Sequence, residues 1–425
     1  MHLQVEFAKK NQHMKYILLL LLLQGIVSCK PSHEDSILPV IDLNREYPVK
    51  RMNIHEMADV EYIPLETTDN SLISNLAHTA VSDKYIVIGD MRFFEIFLFD
   101  RQGRFIRKIG RRGNGPGEYL AFHAMDVDFD KEEVYIYSLG SRQKIWVYSL
   151  NGKFLRDFKY EVSKKRLDLK RIDNYDENFL LTYNDQYWPH PNPEYKREAD
   201  KTPYYLINKQ TGGMKIAHKG LVITNPVPPY LDRMVKGPTG HYNWTVGYAI
   251  DFLVRNGKDD ILLVENSLDT LYTFKNHKLH PAIVRTPSAS SMKEKRFISP
   301  CALTDSFFIY RRVILDNDLD KQENFFYDKR DFPAYIFNRN TGEIFQWEIY
   351  DSNVSTELSL SERLTLGFPG NGIFYSTTKK NQIVSFYHLH QLGKTDKSKY
   401  KGKFKEAYDS TEEEDNPILV IYNFK

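Results

Sequence analysis

The strongest constraint on the fold is a strand-rich unit that occurs twice along the chain without a gap. Its turn glycines, Gly103 and Gly152, lie 49 residues apart. Each copy reads as a short apolar strand, a polar connection, a second strand, a tight turn containing glycine, and a third strand that opens with an aromatic residue. Glycine suits this turn because hairpin turns require positive φ angles. The paired segments are Tyr85–Gly89 with Ile96–Phe105, and Val134–Ser138 with Ile145–Phe154.

The same unit recurs three more times with looser spacing. The five turns fall near residues 103, 152, 212, 276 and 342. Four-stranded units at an average step of about 60 residues are typical of propeller blades. No helical periodicity links the strands, which argues against a parallel sheet with crossover helices. The looser pairs are Asn178–Tyr183 with Tyr204–Gly212, Ile261–Glu265 with Thr270–Asn276, and Phe307–Tyr310 with Tyr335–Gly342.

A sixth unit has to be assembled from the two ends of the chain. Gly372–Ser376 and Ile418–Phe424 supply strands near the C-terminus, and Val60–Glu66 has no unit of its own upstream. Joining them in one blade removes exposed sheet edges, and Pro64 is tolerated in an outermost edge strand. The sequence therefore predicts an all-β fold over residues 41–425. It is a six-bladed β-propeller of four-stranded antiparallel blades, closed by N- and C-terminal strands in one blade.

The first thirty residues have the composition of an export signal. The apolar run Ile17–Leu23 follows three lysines and is too short to span a bilayer comfortably as a permanent helix. It leads into Ser28 and Cys29, a small residue before a cysteine, which resembles the lipobox of bacterial lipoproteins. In that motif the cysteine becomes the acylated first residue after cleavage. We therefore predict a lipoprotein signal peptide over residues 1–29, with Met14 as an alternative start.

Cys29 is accordingly the predicted lipid attachment site, and residues 30–40 are a predicted flexible tether. Two or three acyl chains would anchor the protein firmly, since each buried methylene contributes about 0.8 kcal/mol. The alternative is an uncleaved N-terminal anchor. Either anchor places the body in the cell envelope, with the outer membrane as the expected site. The sequence leaves open whether it faces the periplasm or the cell surface.

Net charge limits the expected class of partner, and cysteine content limits the expected disulfide bonds. The chain has 58 Lys and Arg against 56 Asp and Glu, a net charge of +2, which gives no reason to expect nucleic-acid binding. It has two cysteines. If Cys29 carries lipid, Cys301 has no partner within the chain, so we expect no disulfide. Cys301 lies among apolar residues and is predicted to be a small buried residue rather than a nucleophile.

Three further segments carry a family resemblance. They are Val60–Thr68, Gly110–Tyr119 and Asp415–Tyr422. Together with the two regular units, they make residues 40–425 similar to the six-bladed β-propeller lipoproteins of Bacteroidetes, which are themselves similar to NHL-repeat propellers. The resemblance implies the architecture, and it brings no settled activity with it.

Two short motifs have both a functional and a structural interpretation. Gly113–Tyr119 is glycine-rich like a phosphate-binding loop, but the following segment alternates like a strand, whereas a phosphate loop precedes a helix. We interpret it as the crossing between two blades. His388 and His390 would share one face of a strand and could bind a metal, yet the segment 379–392 could equally be an inserted helix.

An enzyme is the alternative hypothesis. Propeller lyases and hydrolases hold a metal in the central channel, and Asp126 and Asp128 share one face of a predicted inner strand. We favour ordinary strand-end carboxylates for both residues. The chain has no Gly-x-Ser-x-Gly elbow and no zinc-binding helix motif. We predict no cofactor, no metal site and no catalytic residue, and regard enzymatic activity as undecided, with the balance against it.

The leading hypothesis is a binding module. Two long insertions mix aromatic rings with amides and carboxylates, which is the chemistry that recognises sugars and peptides. Loops that project from one rim of a rigid ring are where function is commonly hosted. The expected ligand is a glycan, a peptide or an envelope protein. The alternative is that these rings only hold the insertions against the propeller. The predicted binding residues are Tyr183, Tyr187, Trp188, His190, Tyr242 and Trp244.

Overall fold

The structure is a computed structural model in which strands dominate. None of the helices it describes is long and apolar enough to cross a membrane. The described residues are 38–74, 76–138, 144–160, 169–184, 201–223, 227, 230–237, 240–247, 253–258, 260–292, 295–315, 333–359, 375–377, 379–392 and 396–425.

The described chain begins with an extended segment, residues 40–64, which we call the N-terminal belt. It contains the strands β1 (Val40–Asp42), β2 (Val49–Asn53) and β3 (Ala58–Pro64) and the short helix α1 (Ile54–Met57). The side chain of Asn53 caps α1 by accepting a hydrogen bond from the backbone N–H of His55.

The next three sheets are regular four-stranded antiparallel blades. The first strands of neighbouring blades contact one another, so they line the central axis and the fourth strands lie outermost. Blade 1 has β4 (Leu76–Val81), β5 (Tyr85–Asp90), β6 (Glu95–Asp100) and β7 (Phe105–Lys108); blade 2 has β8 (Ala124–Asp128), β9 (Glu133–Ser138), β10 (Lys144–Ser149) and β11 (Phe154–Lys159); blade 3 has β12 (Leu169–Asn174), β13 (Phe179–Asn184), β14 (Tyr204–Asn208) and β15 (Met214–Ile216).

Between blades 3 and 4, the chain forms a two-stranded hairpin. The hairpin consists of β16 (Tyr230–Gly237) and β17 (Gly240–Gly247), and no described blade strand pairs with it. Blade 4 has β18 (Leu253–Asn256), β19 (Asp260–Leu263), β20 (Thr270–Lys275) and β21 (Lys278–Thr286); blade 5 has β22 (Lys295–Leu303), β23 (Phe307–Leu315), β24 (Ala334–Asn338) and β25 (Ile344–Asp351), to which β26 (Ser355–Ser359) adds.

Blade 6 is built from both ends of the chain. It contains β27 (Tyr375–Ser376), β28 (Gln382–Tyr387) and β29 (Ile418–Phe424), and β3 of the belt is its outermost strand. Two 3₁₀ turns (Leu389–Leu392 and Lys397–Lys399) and helix α2 (Gly402–Asp409) lie between β28 and β29. β3 pairs antiparallel with β29, with Pro64 opposite Ile418. The predicted six-bladed propeller, closed by terminal strands with Pro64 on an edge strand, is confirmed.

The belt also adds two strands to the blades that were not predicted from the sequence. β1 adds in parallel to the outer edge of blade 4, and β2 adds in parallel to the outer edge of blade 5. Val40, the last residue of the predicted tether, is thus the first residue of β1. In blade 5 the buried Asp351 accepts a 2.6 Å hydrogen bond from the Tyr62 hydroxyl and lies 3.0 Å from His55 Nε2. The belt therefore holds blades 4, 5 and 6 by backbone pairing and by side-chain contacts.

The predicted turn glycines have a specific steric role. Gly103 and Gly212 have φ angles of 84° and 72°, in the left-handed region. A Cβ on Gly103 would collide with the Pro64 carbonyl, and one on Gly212 with the Lys159 carbonyl. Both carbonyls belong to the outermost strand of the preceding blade, so these turns need glycine for conformation and for close blade packing.

The two faces of the ring differ in the length of their connections. Because strands alternate in direction within a blade, connections from first to second and from third to fourth strands share one face. None of these exceeds five residues, and we call this the short-turn face. Apart from the links of the belt and of β26, every longer connection, including hairpin β16–β17 and the segment between β28 and β29, leaves from the opposite face, which we call the long-loop face.

Candidate functional site

Charged side chains from three inner strands meet near the axis of the ring. Asp126 lies on β8, Arg171 and Asp173 on β12, and Arg255 on β18. We call these four residues the axial cluster. They belong to blades 2, 3 and 4, and side chains two positions apart on a strand share a face, which places Arg171 beside Asp173.

Two arginines bind the two carboxylates of the cluster. Arg255 places Nη1 3.2 Å from Asp126 Oδ2 and Nη2 3.3 Å from Asp173 Oδ1. Its Nη2 also donates to the backbone carbonyl of Asn174 at 2.9 Å. Arg171 donates from Nε and Nη2 to the two oxygens of Asp173 at 2.7 and 3.0 Å. Two cations and two anions therefore form a network with no net charge.

Burial governs the electrostatics of this network. Removal from water raises the pKa of Asp126, and the opposing influences are the charge of Arg255 and the backbone N–H of Asn174, which donates at 2.5 Å. Arg255 is only 4% exposed. Buried charges are retained only where partners satisfy them, so the loss of either partner would leave a costly unpaired group.

His78 of β4 extends the polar surface into blade 1. Its Nε2 lies 3.1 Å from the backbone carbonyl of His123. Burial lowers the pKa of His78 to about 4 because it disfavours the imidazolium, and the positive charge of Arg171 acts in the same direction. His78 is therefore neutral near pH 7 and offers hydrogen bonds rather than charge.

Asp128, two residues after Asp126, is bound in a separate pair. Its Oδ2 accepts a 2.7 Å hydrogen bond from Lys209 Nζ, and the Lys209 side chain is fully buried. Burial acts to raise the pKa of Asp128, but the hydrogen bond and charge of Lys209 outweigh it and lower the pKa. The prediction that Asp126 and Asp128 share an inner strand is confirmed, and both are held by cations.

The cluster is reached from the long-loop face. Arg171 lies nearer that end of β12 and its side chain is 29% exposed, whereas the Arg255 side chain is 3% exposed. On the short-turn face, Asn256 donates to Asp305 at 2.7 Å and Asn381 N–H donates to Asn256 at 2.6 Å. These contacts join blades 4, 5 and 6 at the short-turn end of the axis.

The arrangement places hydrogen-bonding groups near the axis. Within the described segments, no group of three or more His, Cys, Asp or Glu side chains is placed to hold a metal ion. The axial cluster offers guanidinium donors, carboxylate acceptors and a neutral imidazole, which can bind a polar ligand. Sequence reasoning missed Arg171, Asp173, Arg255 and His78. The available signal was charge within short inner strands such as Leu-Lys-Arg-Ile-Asp-Asn (169–174).

The predicted binding aromatics are placed differently from one another. Tyr183 was assigned both to the strand segment Asn178–Tyr183 and to the binding insertion; the strand is confirmed and the exposed binding position is wrong, because Tyr183 lies in β13, is 1% exposed, and donates to Glu265 at 3.3 Å. Its ring packs in the core between blades 3 and 4. Tyr242 and Trp244 belong to strand β17. Tyr187, Trp188, His190 and the lipid-site cysteine Cys29 lie outside the described residues.

The glycine-rich segment Gly113–Tyr119 has the predicted structural role. It connects β7 of blade 1 to β8 of blade 2. Glu118 closes the loop by accepting a 2.9 Å hydrogen bond from the Gly115 backbone N–H. The backbones of Arg112 and Tyr119 form an isolated parallel β-bridge. The loop is a blade crossing that is followed by a strand.

His388 and Cys301 complete the set of candidates. His388 follows β28, and a 3₁₀ turn begins at Leu389, so a strand through His390 is wrong, and a helix over the whole of 379–392 is wrong as well. The two imidazole rings lie 5.4 Å apart, and burial lowers the pKa of His388 to about 4. Cys301 lies on β22, partly exposed, with its apolar neighbours packed against the core of blades 5 and 6.

The comparisons with known proteins give a family and one solved structure with the same fold. The family model described as Domain of unknown function (DUF4934) matches residues 38–423. A solved structure from Bacteroides fragilis, described as an exported protein, has a TM-score of 0.60 at 15% identity, covering 91% of this chain and 99% of its own. A DUF4221 protein from Bacteroides vulgatus has a TM-score of 0.44 at 12% identity, covering 87% and 97%. No curated protein matches the chain at a significant level.

Proposed function

The chain belongs to the DUF4934 family, and we propose that it is a binding module of the cell envelope. In this proposal, the propeller is anchored by lipid at Cys29 and holds a glycan, a peptide or a partner protein at its long-loop face. The ring itself is the rigid scaffold, and the insertions supply the contacts.

One observation carries this proposal: the connections between the second and third strands of blades 3, 5 and 6 each exceed fifteen residues, and all three lie on the long-loop face. Crossings from an outermost strand to the next innermost strand must be long and lie on this face, but connections between neighbouring second and third strands have no such requirement. Loops grouped at one rim of a rigid scaffold are the usual arrangement of a binding surface. The axial cluster opens on the same face through Arg171, so a ligand held by the loops can also reach charged groups at the axis.

Two observations support the envelope location. The signal-like N-terminus ends in the lipobox-like Ser28-Cys29. The Bacteroides fragilis protein with the same fold is described as exported. Both fit a protein whose body folds outside the cytoplasm.

The binding proposal is tested by screening the protein from residue 30 onward against glycan and peptide arrays. Trp188 follows β13 in the sequence and Trp244 belongs to β17, and we expect Trp188→Ala or Trp244→Ala to weaken the strongest hit about tenfold or more, as truncation of an aromatic hot spot does. Gln210→Ala on the short-turn face is the matched control and should bind normally. Binding that survives both tryptophan changes but is lost in the control variant would contradict the proposal.

The anchor is tested separately in cells. Cys29→Ala removes the thiol to which the lipid would be attached, so we expect the protein to move from the membrane fraction to the soluble envelope fraction. Ser28→Ala, which keeps a small residue before the cysteine, should remain in the membrane fraction. A Cys29→Ala variant that stays intact and membrane-bound would show that the anchor is not a lipid at this residue.

A further inference from the structure

Blade 5 shows how the outer edge of this ring accepts an added strand. β2 pairs in parallel with β25, and Arg51 is the register partner of Glu348. Lys50 Nζ lies 2.6 Å from Glu343 Oε1 and over the ring of Phe345. A basic strand therefore binds an edge that presents carboxylates, because opposite charges across a strand pair stabilise it.

The outer edge of blade 2 is open and has the opposite charge. Among the described strands, none pairs with the outer side of β11. Lys153, Leu155, Asp157 and Lys159 are exposed along it, and Leu155 is 42% exposed. Asp157 is bound by Lys144 at 2.5 Å, whereas neither Lys153 nor Lys159 has a carboxylate partner among the described side chains. The edge therefore presents a leucine between two uncompensated lysines.

We propose that β11 binds an extended acidic segment of a partner protein as an added strand, as β25 binds β2. Backbone hydrogen bonds from the strand edge would supply affinity, and alternate side chains would supply specificity. Glutamates of the segment would face Lys153 and Lys159, and an aliphatic side chain would cover Leu155. A basic segment is disfavoured because like charges across a pair destabilise it.

The other open edges fit this role less well. β3, the seven-residue edge of blade 6, carries Asp59 and Glu61, which disfavour an acidic segment. β7 has four residues, and its Phe105 N–H already donates to the Glu66 carboxylate at 2.7 Å. That contact shows that an open edge of this ring can accept a carboxylate. β15 has only three residues. β11, with six, is the longest of the edges β7, β11 and β15. Its surface is the lateral side of the ring, so this proposal does not depend on binding at the long-loop face.

The test uses two synthetic peptides, one of alternating Glu and Val and one of alternating Lys and Val, with the full chain or the protein from residue 30. We expect the acidic peptide to bind and the basic peptide not to bind. The double variant Lys153→Glu/Lys159→Glu should bind the acidic peptide about tenfold more weakly, since each exposed charge pair contributes modestly. Lys278→Glu, on the outer strand of blade 4, is the matched control and should bind normally.

Amide hydrogen exchange of residues 154–159 supplies a second measurement. We expect slower exchange there in the presence of the acidic peptide and no change in β25, whose edge is occupied by β2. The variant Lys153→Ala/Lys159→Ala should show an intermediate loss without charge reversal. Equal binding of both peptides, no binding at millimolar peptide, or unchanged affinity in the Lys153→Glu/Lys159→Glu variant would each overturn the proposal.

Discussion

The two halves of the ring protect their outer edges in different ways. β1 and β2 of the belt pair with the outermost strands of blades 4 and 5, and β3 of the belt is itself the outermost strand of blade 6. In blades 1, 2 and 3, no described strand covers β7, β11 or β15. Blades 1 and 2 are also the two that repeat without a gap in the sequence. Regular blades thus form short exposed edges, and the irregular half is held by an added segment.

The outermost strands of both halves bury one side chain and expose another: Val40 of the belt is 48% exposed, and Phe158 of β11 is 7% exposed. Ile41 and Leu43 of the belt are 0% and 1% exposed. Arg296 donates to the Leu43 carbonyl at 3.1 Å, which holds the belt between blades 4 and 5. In the open half, Ile106 and Leu155 of the outer strands are 37% and 42% exposed. The halves therefore differ in pairing rather than in burial, because a sequence-distant segment pairs with the outermost strands of blades 4 and 5.

The largest expected effect lies where the two halves meet at the axis. Arg255 of blade 4 binds Asp126 of blade 2 and Asp173 of blade 3, so Arg255→Met should lower the free energy of unfolding by about 3–5 kcal/mol. The reason is that Asp126 is left buried without a cation. Urea unfolding followed by tryptophan fluorescence measures the loss.

Two variants sharpen this test. Arg104→Ala removes an exposed ion pair with Asp100 and should cost less than about 1 kcal/mol. The double variant Asp126→Asn/Arg255→Met should recover part of the stability, because the uncompensated charge is gone. An Arg255→Met protein as stable as the Arg104→Ala protein would show that the axis does not couple the two halves.

An intermediate effect separates the belt from the open edge. Ile41→Ala should destabilise the protein by about 2–4 kcal/mol, because it opens a cavity under the belt. Ile106→Ala, on the exposed edge of blade 1, should change stability by less than about 0.5 kcal/mol. Urea midpoints of the two variants provide the comparison. Equal effects would mean that the belt adds no more than an exposed edge does.

The smallest expected effect is a loss of folding stability as the pH falls. The pKa of His78 in the folded protein is about 4, below its ordinary value of 6.5, so the unfolded chain takes up the proton first as pH falls. Stability is therefore lost as pH falls from about 6.5 toward 4. His78→Gln should remove about 1 kcal/mol of that loss between pH 6.5 and 5.5. Urea unfolding at the two pH values measures it.

His388, in the belted half, has the same folded pKa of about 4 and serves as the matched site. His388→Gln should flatten the pH profile by a similar amount, since burial is the main cause in both cases. A His78→Gln profile as steep as that of the unchanged protein would show that the ring of His78 is not protected from water.

Much of the fold could be predicted because it rests on local pattern. Apolar alternation identified the strands, and the turn glycines Gly103, Gly152, Gly212 and Gly342 all have positive φ. The closing pair of β3 and β29 followed from counting units. β1 and β2 could not be found in this way, because strands of three and five residues that pair in parallel with distant edges leave no local signature.

The site was less predictable than the fold. Asp126 was correctly placed on an inner strand, but its partner Arg255 is 129 residues away, and no local spacing connects them. Tyr183 is a residue type expected in a binding loop, and yet its ring packs in the core. Both outcomes have the same cause: ring closure decides which strand ends meet, and sequence patterns report only which residues are neighbours along one strand.

The order of strands in the belt has a mechanical consequence. A pulling force applied upstream of residue 40 reaches β1 first, then β2, and only afterwards β3. β1 is three residues long and pairs with one neighbour, so it detaches at the lowest load and absorbs the first extension of the chain. The seven-residue strand that closes the ring remains unstrained until both earlier strands have been peeled away.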